Sequence, residues 1–345
     1  MIPVALDAMG GDHAPQTTVA GAVQAARSLG RAVLLVGDEG QLKAELDRHR
    51  PLPSGLEIVH AADAIGMGES PGPALLRRRD ASIVVATELV KEGRACGVVS
   101  AGNSGAVMGA AVLRLGMLSG VERPAIALLL PNRHGSVVVL DVGATVDPRP
   151  AHLRDFAIMG SIYAHCLLHV ARPRVGLLSI GEEPSKGSAL TKKAFALLQG
   201  APINFVGNIE GKEVPLGEVE VVVCDGFAGN VLLKAVEGYA ELFFHMLRQR
   251  LSSRWRYRLG AWLLRPGLRS LGRELDYASH GGALLVGVNG VCVIAHGRSS
   301  PLAIESAVRV AGELAQQGVV AELASSFRQM MASPAEAAAA RDSGQ

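Results

Sequence analysis

The sequence predicts an α/β fold in which helices cover both faces of a parallel sheet. Short runs of Val, Leu and Ile alternate with stretches of helical periodicity, a pattern typical of strand–helix–strand units. Several of these apolar runs end in a glycine-rich turn that carries polar side chains. The 345 residues are 49% hydrophobic and include 41 glycines but only 4% aromatics, which suits close packing of helices against a sheet.

The predicted strands are short apolar runs bounded by glycine, proline or polar residues, and they cover 2–6, 32–36, 56–59, 96–99, 125–130, 137–140, 174–179, 203–206, 219–224, 283–287 and 291–295. The predicted helices have apolar residues at helical spacing, and they cover 16–29, 40–49, 80–92, 105–115, 151–169, 188–199, 229–251 and 301–317. We expect a single α/β domain over 1–331 and a disordered tail over 332–345.

The composition is typical of a soluble cytoplasmic protein. Its four cysteines lie far apart with no C-x-x-C pair, as expected for reduced thiols. No apolar run approaches the ~20 residues that a membrane span needs, and we expect no signal peptide. We therefore expect reduced cysteines and no transmembrane segment.

The turn after the first strand is the strongest local indication of a ligand site. It places Asp7 at the strand end, then Gly10 and Gly11, then Asp12 and His13 before a helix. Adjacent glycines allow backbone N–H groups to approach an anion closely, and the helix adds its positive N-terminal end. The alternative is an ordinary Gly-Gly turn.

Further predicted strands end in similar polar turns, which contain Asn103, Ser104, Gly105, Asp141, Lys186, Asp225, Asn230, Lys234, His296 and Gly297. In open α/β sheets ligands bind beyond the carboxyl ends of the strands, so we expect these turns to form one site. Two simpler readings stay open at this point. An ordinary helix N-cap would explain Asn103 or Ser104, and a solvated side chain would explain Lys186.

The motifs LDAMGGDHAP (6–15), SAGNSGAVM (100–108), LLSIGEEPSKG (177–187) and VVCDGFAGNVLLK (222–234) together resemble the bacterial phosphate acyltransferases of phospholipid synthesis, the PlsX-type enzymes. The resemblance implies transfer of a long acyl chain from acyl-[acyl-carrier protein] to inorganic phosphate, with the acyl phosphate feeding glycerol-3-phosphate acylation. It also implies a Rossmann-like three-layer α/β/α sandwich resembling isocitrate/isopropylmalate dehydrogenases and phosphotransacetylases. A homodimer without a cofactor is expected. The chain departs from the family pattern at Ser104, Thr145 and Ala295.

The chemistry of a thioester suggests roles for these residues. A thiol with a pKa near ~8.5 leaves readily, so holding phosphate and stabilising the oxyanion matter most. We expect phosphate to bind Asn103, Ser104 and Gly105 with Lys186. His13, oriented by Asp12, would polarise the carbonyl or protonate the sulfur. The remaining predicted wall and substrate-binding residues are Asp7, Gly10, Gly11, Asp141, Asp225, Asn230, Lys234, His296 and Gly297.

A basic amphipathic helical hairpin is predicted at about 229–275. Eight arginines and no acidic residue lie between Arg248 and Arg273, and Pro266-Gly267 is expected to break the helix. Such a segment suits an anionic membrane surface or the acidic carrier protein. The predicted contact residues are Arg77, Arg78, Arg250, Arg254, Trp255, Arg258 and Trp262. The alternatives are a solvated basic cluster at 77–79 and a packed helix pair at a dimer interface.

Other functions fit the sequence less well. A short-chain acyl-coenzyme A phosphate acyltransferase and a non-catalytic membrane-surface scaffold are the alternatives. A dehydrogenase ranks lowest, because no metal-binding Asp cluster or nucleotide fingerprint is present. We expect no metal site at His165 and His169 and no nucleic-acid partner, whereas a downstream glycerol-3-phosphate acyltransferase is an expected partner.

Overall fold

The computed structural model describes residues 2–275 and 281–331, so the predicted tail lies outside the described residues. The strands are β1 (Val4–Asp7), β2 (Val33–Gly37), β3 (Leu56–His60), β4 (Gly97–Ser100), β5 (Ala125–Asn132), β6 (Gly135–Leu140), β7 (Arg174–Ser179), β8 (Asn204–Glu210), β9 (Val221–Val223), β10 (Ala283–Val286) and β11 (Val291–Ile294). Each coincides with a predicted strand to within a few residues.

The helices are α1 (Gln16–Leu29), α2 (Glu39–Asp47), α3 (Pro71–Arg77), α4 (Ser82–Lys91), α5 (Ser104–Arg114), α6 (Pro150–Leu168), α7 (Ala189–Gln199), α8 (Gly226–Ser252), α9 (Trp255–Leu275), α10 (Pro301–Gln316) and α11 (Val319–Met331), with a 3₁₀ turn at Val214–Leu216. The eight predicted helices are present. The short α3 and the amphipathic α11 were not predicted. The expected break at Pro266-Gly267 is wrong, because α9 continues through Pro266.

Helices pack on both faces of the sheet, which confirms the three-layer α/β/α architecture. On one face, α1, α6, α10 and α11 bury side chains such as Val19, Phe156, Ile304 and Phe327 against the strands. On the other face, α3, α4 and α5 cover a second apolar cluster. The strands are therefore buried on both sides, as their continuous apolar runs indicate.

The expectation of a parallel sheet is wrong in one respect, because the sheet is mixed. Its order is β3-β2-β1-β4-β11-β10-β5-β6-β9-β7-β8. β10 is antiparallel to both β11 and β5, and β5 is antiparallel to β6. The strands β1 to β4 and β11 consequently run one way, and β6 to β9 run the other way.

The two opposed strand sets nevertheless end at the same level of the sheet. One continuous row of paired residues crosses it, consisting of Leu35, Leu6, Val99, Val293, Leu284, Ala127, Leu140, Val223 and Leu177. In β1, β4, β11, β6, β9 and β7 this row lies within two residues of the C-terminal end. The polar turns therefore approach the row from opposite directions instead of sharing one edge.

Asp141 holds the turn after β6 in place. Its carboxylate accepts hydrogen bonds from the backbone N–H groups of Ile126 at 3.0 Å, Gly143 at 3.1 Å, Ala144 at 2.9 Å and Thr145 at 2.6 Å. The residue is fully buried, and burial raises the pKa of its carboxyl, while these four N–H groups act in the opposite direction. The carboxylate thus fixes the start of β5 and the turn after β6 relative to each other.

We predict that Asp141→Ala destabilises the fold far more than Asp225→Ala does. The first change leaves buried N–H donors unpaired, so we expect a loss of at least about 3 kcal/mol in the free energy of unfolding. Asp225 caps α8 through one bond to the Ala228 N–H, and losing such a cap costs about 1 kcal/mol. Urea unfolding of both variants measures the difference. Equal losses would contradict the anchoring role of Asp141.

Candidate functional site

A cavity of 270 Å³ lies where the polar turns converge on the row. Among the residues predicted from the sequence, it is lined by Asp12, Ser104, Asn230, Lys234, His296 and Gly297. These residues follow β1, β4, β9 and β11, and Val142 adds the turn after β6. The structure therefore brings together turns from both opposed strand sets.

The turn after β1 is held close to two neighbouring turns. The Asp12 N–H donates to the Gly297 carbonyl at 2.8 Å, which joins the turns after β1 and β11. A Cβ atom at Gly10 would lie 2.6 Å from Asp7 Oδ2 and 2.9 Å from the Gly102 nitrogen. Only glycine fits at this position without displacing its surroundings. Gly10 thus allows the two turns to approach closely. The sequence analysis expects it to contact an anion, and that role stays a prediction.

Asp7 acts behind the cavity and does not line it. Its buried carboxylate accepts a hydrogen bond from the Ser100 hydroxyl at 2.7 Å, and Ser100 Oγ in turn accepts one from the Gly102 N–H at 3.0 Å. Burial raises the pKa of the Asp7 carboxyl, and hydrogen bonds from Ser82 and Ser100 oppose that rise. The carboxylate positions Gly102, which is part of the cavity wall.

Asn103 is an N-cap, as the simpler reading of the sequence proposed. Its Oδ1 accepts from the Ala106 N–H at 3.1 Å, and its Nδ2 donates to the carbonyls of Met67 at 3.0 Å and Glu69 at 3.1 Å. Both ends of the side-chain amide are therefore engaged within the protein. Ser104, the first residue of α5, instead places its exposed side chain at the cavity. Gly105 lies against Pro71.

Lys234 and His296 lie together at the cavity with Glu237, a residue that the sequence analysis did not select. Lys234 Nζ donates to Glu237 Oε2 at 2.8 Å and lies 3.3 Å from His296 Nε2. The Arg298 N–H donates to His296 Nδ1 at 3.1 Å. Burial lowers the pKa of His296, and the charge of Lys234 lowers it further.

This hydrogen-bond pattern makes the Lys234–His296 pair a donor pair. In a neutral imidazole whose Nδ1 accepts, Nε2 carries the hydrogen. Nε2 then cannot accept from the ammonium group of Lys234, so two N–H donors lie side by side at the cavity. An anionic oxygen between them would satisfy both. The local geometry is that of an anion site.

Apolar side chains also line the cavity. Ile126 and Leu128 of β5, Val142, Leu233 of α8 and Ile294 of β11 line it. The sequence analysis missed this surface, because each of these residues reads as ordinary core in a single strand or helix. For Glu237 a signal was available in the sequence, because it follows Lys234 by three residues, the spacing of an ion pair on a helix. The cavity thus combines apolar lining residues with the polar cluster of Lys234, His296 and Glu237.

Several predicted residues do not line the cavity. His13 and Lys186 are exposed, and within the described residues no hydrogen bond joins the side chains of Asp12 and His13. The carboxylates of Asp141 and Asp225 accept backbone hydrogen bonds that organise their own turns. Their assigned roles in catalysis or binding stay predictions.

The two arginines predicted to contact a carrier differ in their surroundings. Arg78 donates to Glu69 Oε1 at 3.0 Å and to the Ala64 carbonyl at 2.6 Å, and its Nε lies 3.3 Å from Asp63 Oδ2. This guanidinium therefore fixes the loop before α3. Arg77, at the end of α3, is exposed.

The helical hairpin of α8 and α9 carries many exposed apolar side chains. Trp255 is 70% exposed and Trp262 is 66% exposed. Arg250 of α8, Arg254 in the turn between the two helices and Arg258 of α9 are exposed as well. In the described part of the chain, no helix has the length and apolar character needed to cross a membrane.

Comparisons with known sequences identify one family. A family model described as fatty acid synthesis protein matches residues 2–322. A phosphate acyltransferase from Desulforamulus reducens is 51% identical over 321 residues, covering 93% of this chain and 96% of the relative. One from Heliobacterium modesticaldum is 49% identical, with the same coverage of 93% and 96%. One from Thermosynechococcus vestitus is 49% identical, covering 95% and 96%.

Solved structures share the fold at low sequence identity. A phosphotransacetylase from Streptococcus pyogenes superposes with a TM-score of 0.62 at 15% identity, over 92% of this chain and 94% of that one. A 4-hydroxythreonine-4-phosphate dehydrogenase from Klebsiella pneumoniae gives a TM-score of 0.53 at 14% identity, over 91% and 98%. The expected likeness to phosphotransacetylases is therefore confirmed at the level of fold.

Proposed function

The chain belongs to the fatty acid synthesis protein family and is an enzyme of the phosphate acyltransferase type, and on that premise we propose that its substrates are long-chain acyl-[acyl-carrier protein] and inorganic phosphate. The observation that supports this proposal is a cavity lined by both polar and apolar side chains. Lys234 and His296 suit the phosphate, and the apolar wall of Ile126 and Leu128 suits the start of an acyl chain. The acyl phosphate would then supply glycerol-3-phosphate acylation.

The same cavity favours a revised position for the phosphate. Lys234 Nζ and His296 Nε2 supply the two principal donors, and Ser104 and Asn230 also line the cavity. Ser104 also begins α5, whose N-terminal end is favourable for negative charge. Lys186, the residue first assigned to phosphate, does not line this cavity.

The reaction needs little covalent chemistry from the protein. A phosphate oxygen forms a C–O bond with the thioester carbonyl carbon, and the C–S bond breaks. The hydrogen of monohydrogen phosphate ends on the departing thiol, so acyl phosphate and the free carrier thiol are the products. The contribution of the site is to hold the anion against the carbonyl and to stabilise the oxyanion with preorganised N–H donors.

We predict that the purified protein forms acyl phosphate from long-chain acyl-[acyl-carrier protein] and inorganic phosphate without added metal or nucleotide. Release of free carrier thiol, with acyl phosphate trapped by hydroxylamine, measures the reaction. Acyl-coenzyme A donors of short and long chain run beside it are the control. Turnover with short acyl-coenzyme A alone would favour the short-chain alternative, and no turnover with any donor would leave the scaffold alternative.

We predict that Lys234→Ala raises the KM for phosphate by about tenfold or more, because it removes a charged hydrogen-bond donor. Lys186→Ala is the matched control, since it removes the same charge from outside the cavity wall. We expect it to leave that KM within about twofold. Steady-state kinetics with phosphate varied at saturating acyl donor separates the two. A larger effect of Lys186→Ala on the KM for phosphate would instead support Lys186 as the phosphate-binding lysine.

The hairpin supports a proposal about partners and localisation. Its exposed tryptophans and arginines favour peripheral contact with an anionic membrane, with the acidic acyl-carrier protein, or with both. Arg256 lies 5.5 Å from the ring centroid of Trp255, within range of a cation–π contact. We propose a cytoplasmic homodimer that contacts the membrane through this hairpin, near a glycerol-3-phosphate acyltransferase.

We predict that the protein floats with vesicles containing anionic phosphatidylglycerol and that the double change Trp255→Ala and Trp262→Ala reduces the bound fraction several-fold. Tryptophan side chains anchor at the membrane interface, and the arginines add electrostatic attraction. Leu113→Ala, which also removes an exposed apolar side chain but on α5, is the control. Failure of the unaltered protein to float would exclude the membrane and leave carrier or subunit contact for the hairpin.

A further inference from the structure

Two buried polar atoms at the cavity have no hydrogen-bond partner among the described residues. They are Glu237 Oε1 and Ser299 Oγ, and both residues line the cavity. Ser299 is 5% exposed, and the side chain of Glu237 is 16% exposed. Buried polar atoms in native proteins are nearly always paired, so these two atoms need a partner from outside the protein, which a bound ligand or an ordered water can supply.

The position of Glu237 determines what kind of partner it can take. Its Oε2 already accepts from Lys234 Nζ at 2.8 Å, which leaves Oε1 as the free oxygen. An ionised carboxylate accepts hydrogen bonds and cannot donate them. An atom that pairs with Oε1 through a hydrogen bond therefore carries the hydrogen. The neighbouring Lys234 and His296 are hydrogen-bond donors, so their partner is an oxygen that accepts.

A single ligand that pairs with all of these groups presents several accepting oxygens and one hydroxyl hydrogen. Monohydrogen phosphate has this combination, because one of its four oxygens carries a hydrogen. Sulfate has the same size and tetrahedral shape but carries no hydrogen near neutral pH. Placed in this cavity, sulfate would leave Glu237 Oε1 unpaired and would bring an oxygen lone pair against a carboxylate. A site that pairs a buried polar group with a substrate hydroxyl discriminates strongly against an analogue that lacks it.

We propose that Glu237 makes the cavity selective for a protonated tetrahedral oxyanion by accepting the P–OH hydrogen at Oε1. This selectivity rests on the proposed function, in which inorganic phosphate is the acyl acceptor. Glu237 has a second effect through Oε2, because its ion pair holds the ammonium group of Lys234 beside His296. The carboxylate thus positions one donor and excludes unprotonated anions from the space between donors.

Ser299 provides an internal comparison within the same cavity. Its hydroxyl can donate as well as accept, so it can pair with an oxygen of either phosphate or sulfate. Ser299 lies in the turn after β11, where its N–H donates to the His296 carbonyl at 2.9 Å. Removing this hydroxyl should weaken both anions together. Removing the charge of Glu237 should change the ratio of the dissociation constants of phosphate and sulfate.

The test measures dissociation constants of inorganic phosphate and sulfate for the full chain, by calorimetry and by thermal-shift titration, with no acyl donor present. The unaltered protein should bind phosphate at least about tenfold more tightly than sulfate at neutral pH. In Glu237→Gln this preference should fall by about tenfold, because the amide nitrogen donates to sulfate. Glu237→Asp, which keeps an accepting carboxylate, should retain a preference for phosphate.

Two further variants complete the design. Glu241→Gln, one turn further along α8 and outside the cavity wall, should leave both constants unchanged. Ser299→Ala should weaken phosphate and sulfate by the same factor. A phosphate preference that survives intact in Glu237→Gln, or that is lost equally in Glu237→Asp, would overturn the selectivity role.

The binding measurement also separates this inference from the proposed activity. A protein that prefers phosphate through Glu237 but forms no acyl phosphate would contradict the proposed function and support the selectivity. A protein that forms acyl phosphate while binding sulfate and phosphate equally well would support the proposed function and contradict the selectivity. Glu237→Gln should also make sulfate a stronger inhibitor of phosphate-dependent turnover, which checks the selectivity during catalysis.

Discussion

The site depends on one constraint in the sheet, which is that strands running in opposite directions end at the same level. The antiparallel strands β5 and β10 lie between the two sets and reverse the chain direction. Register then places Val293 of β11, Ala127 of β5 and Leu140 of β6 in one row. Turns that would otherwise lie at opposite edges of an open sheet therefore meet around one cavity.

The cavity combines two surfaces with different physical requirements. Lys234 and His296 present neighbouring N–H donors that suit an anion, and burial lowers the pKa of His296. Its apolar surface is formed by side chains of β5, β11 and α8. Low polarity beside the donors strengthens their electrostatic interaction with a bound anion. A phosphate oxygen held there would lie next to a surface that suits an acyl chain.

The sequence predicts the strands, most helices and the polar turns well, because these follow from local patterns of apolar and glycine residues. It could not predict the reversal of strand direction, since an apolar run reads the same in a parallel or an antiparallel neighbourhood. The sequence also could not distinguish the roles of Asp141 and Asp12, because both are carboxylates in turns that follow strands. Only the tertiary structure shows that Asp141 binds four backbone N–H groups, whereas Asp12 lines the cavity. Glu237 was hidden because a glutamate on a helix is ordinarily a solvated residue.

A crystal structure of the protein grown in phosphate would test the central claim most directly, because it locates the anion without depending on the acyl donor. Phosphate density within about 2.7–3.2 Å of Lys234 Nζ and His296 Nε2, with one oxygen near Glu237 Oε1, is the result expected. Density in the turn that contains Lys186, with none between Lys234 and His296, would contradict the claim that the converging strand ends form the phosphate site.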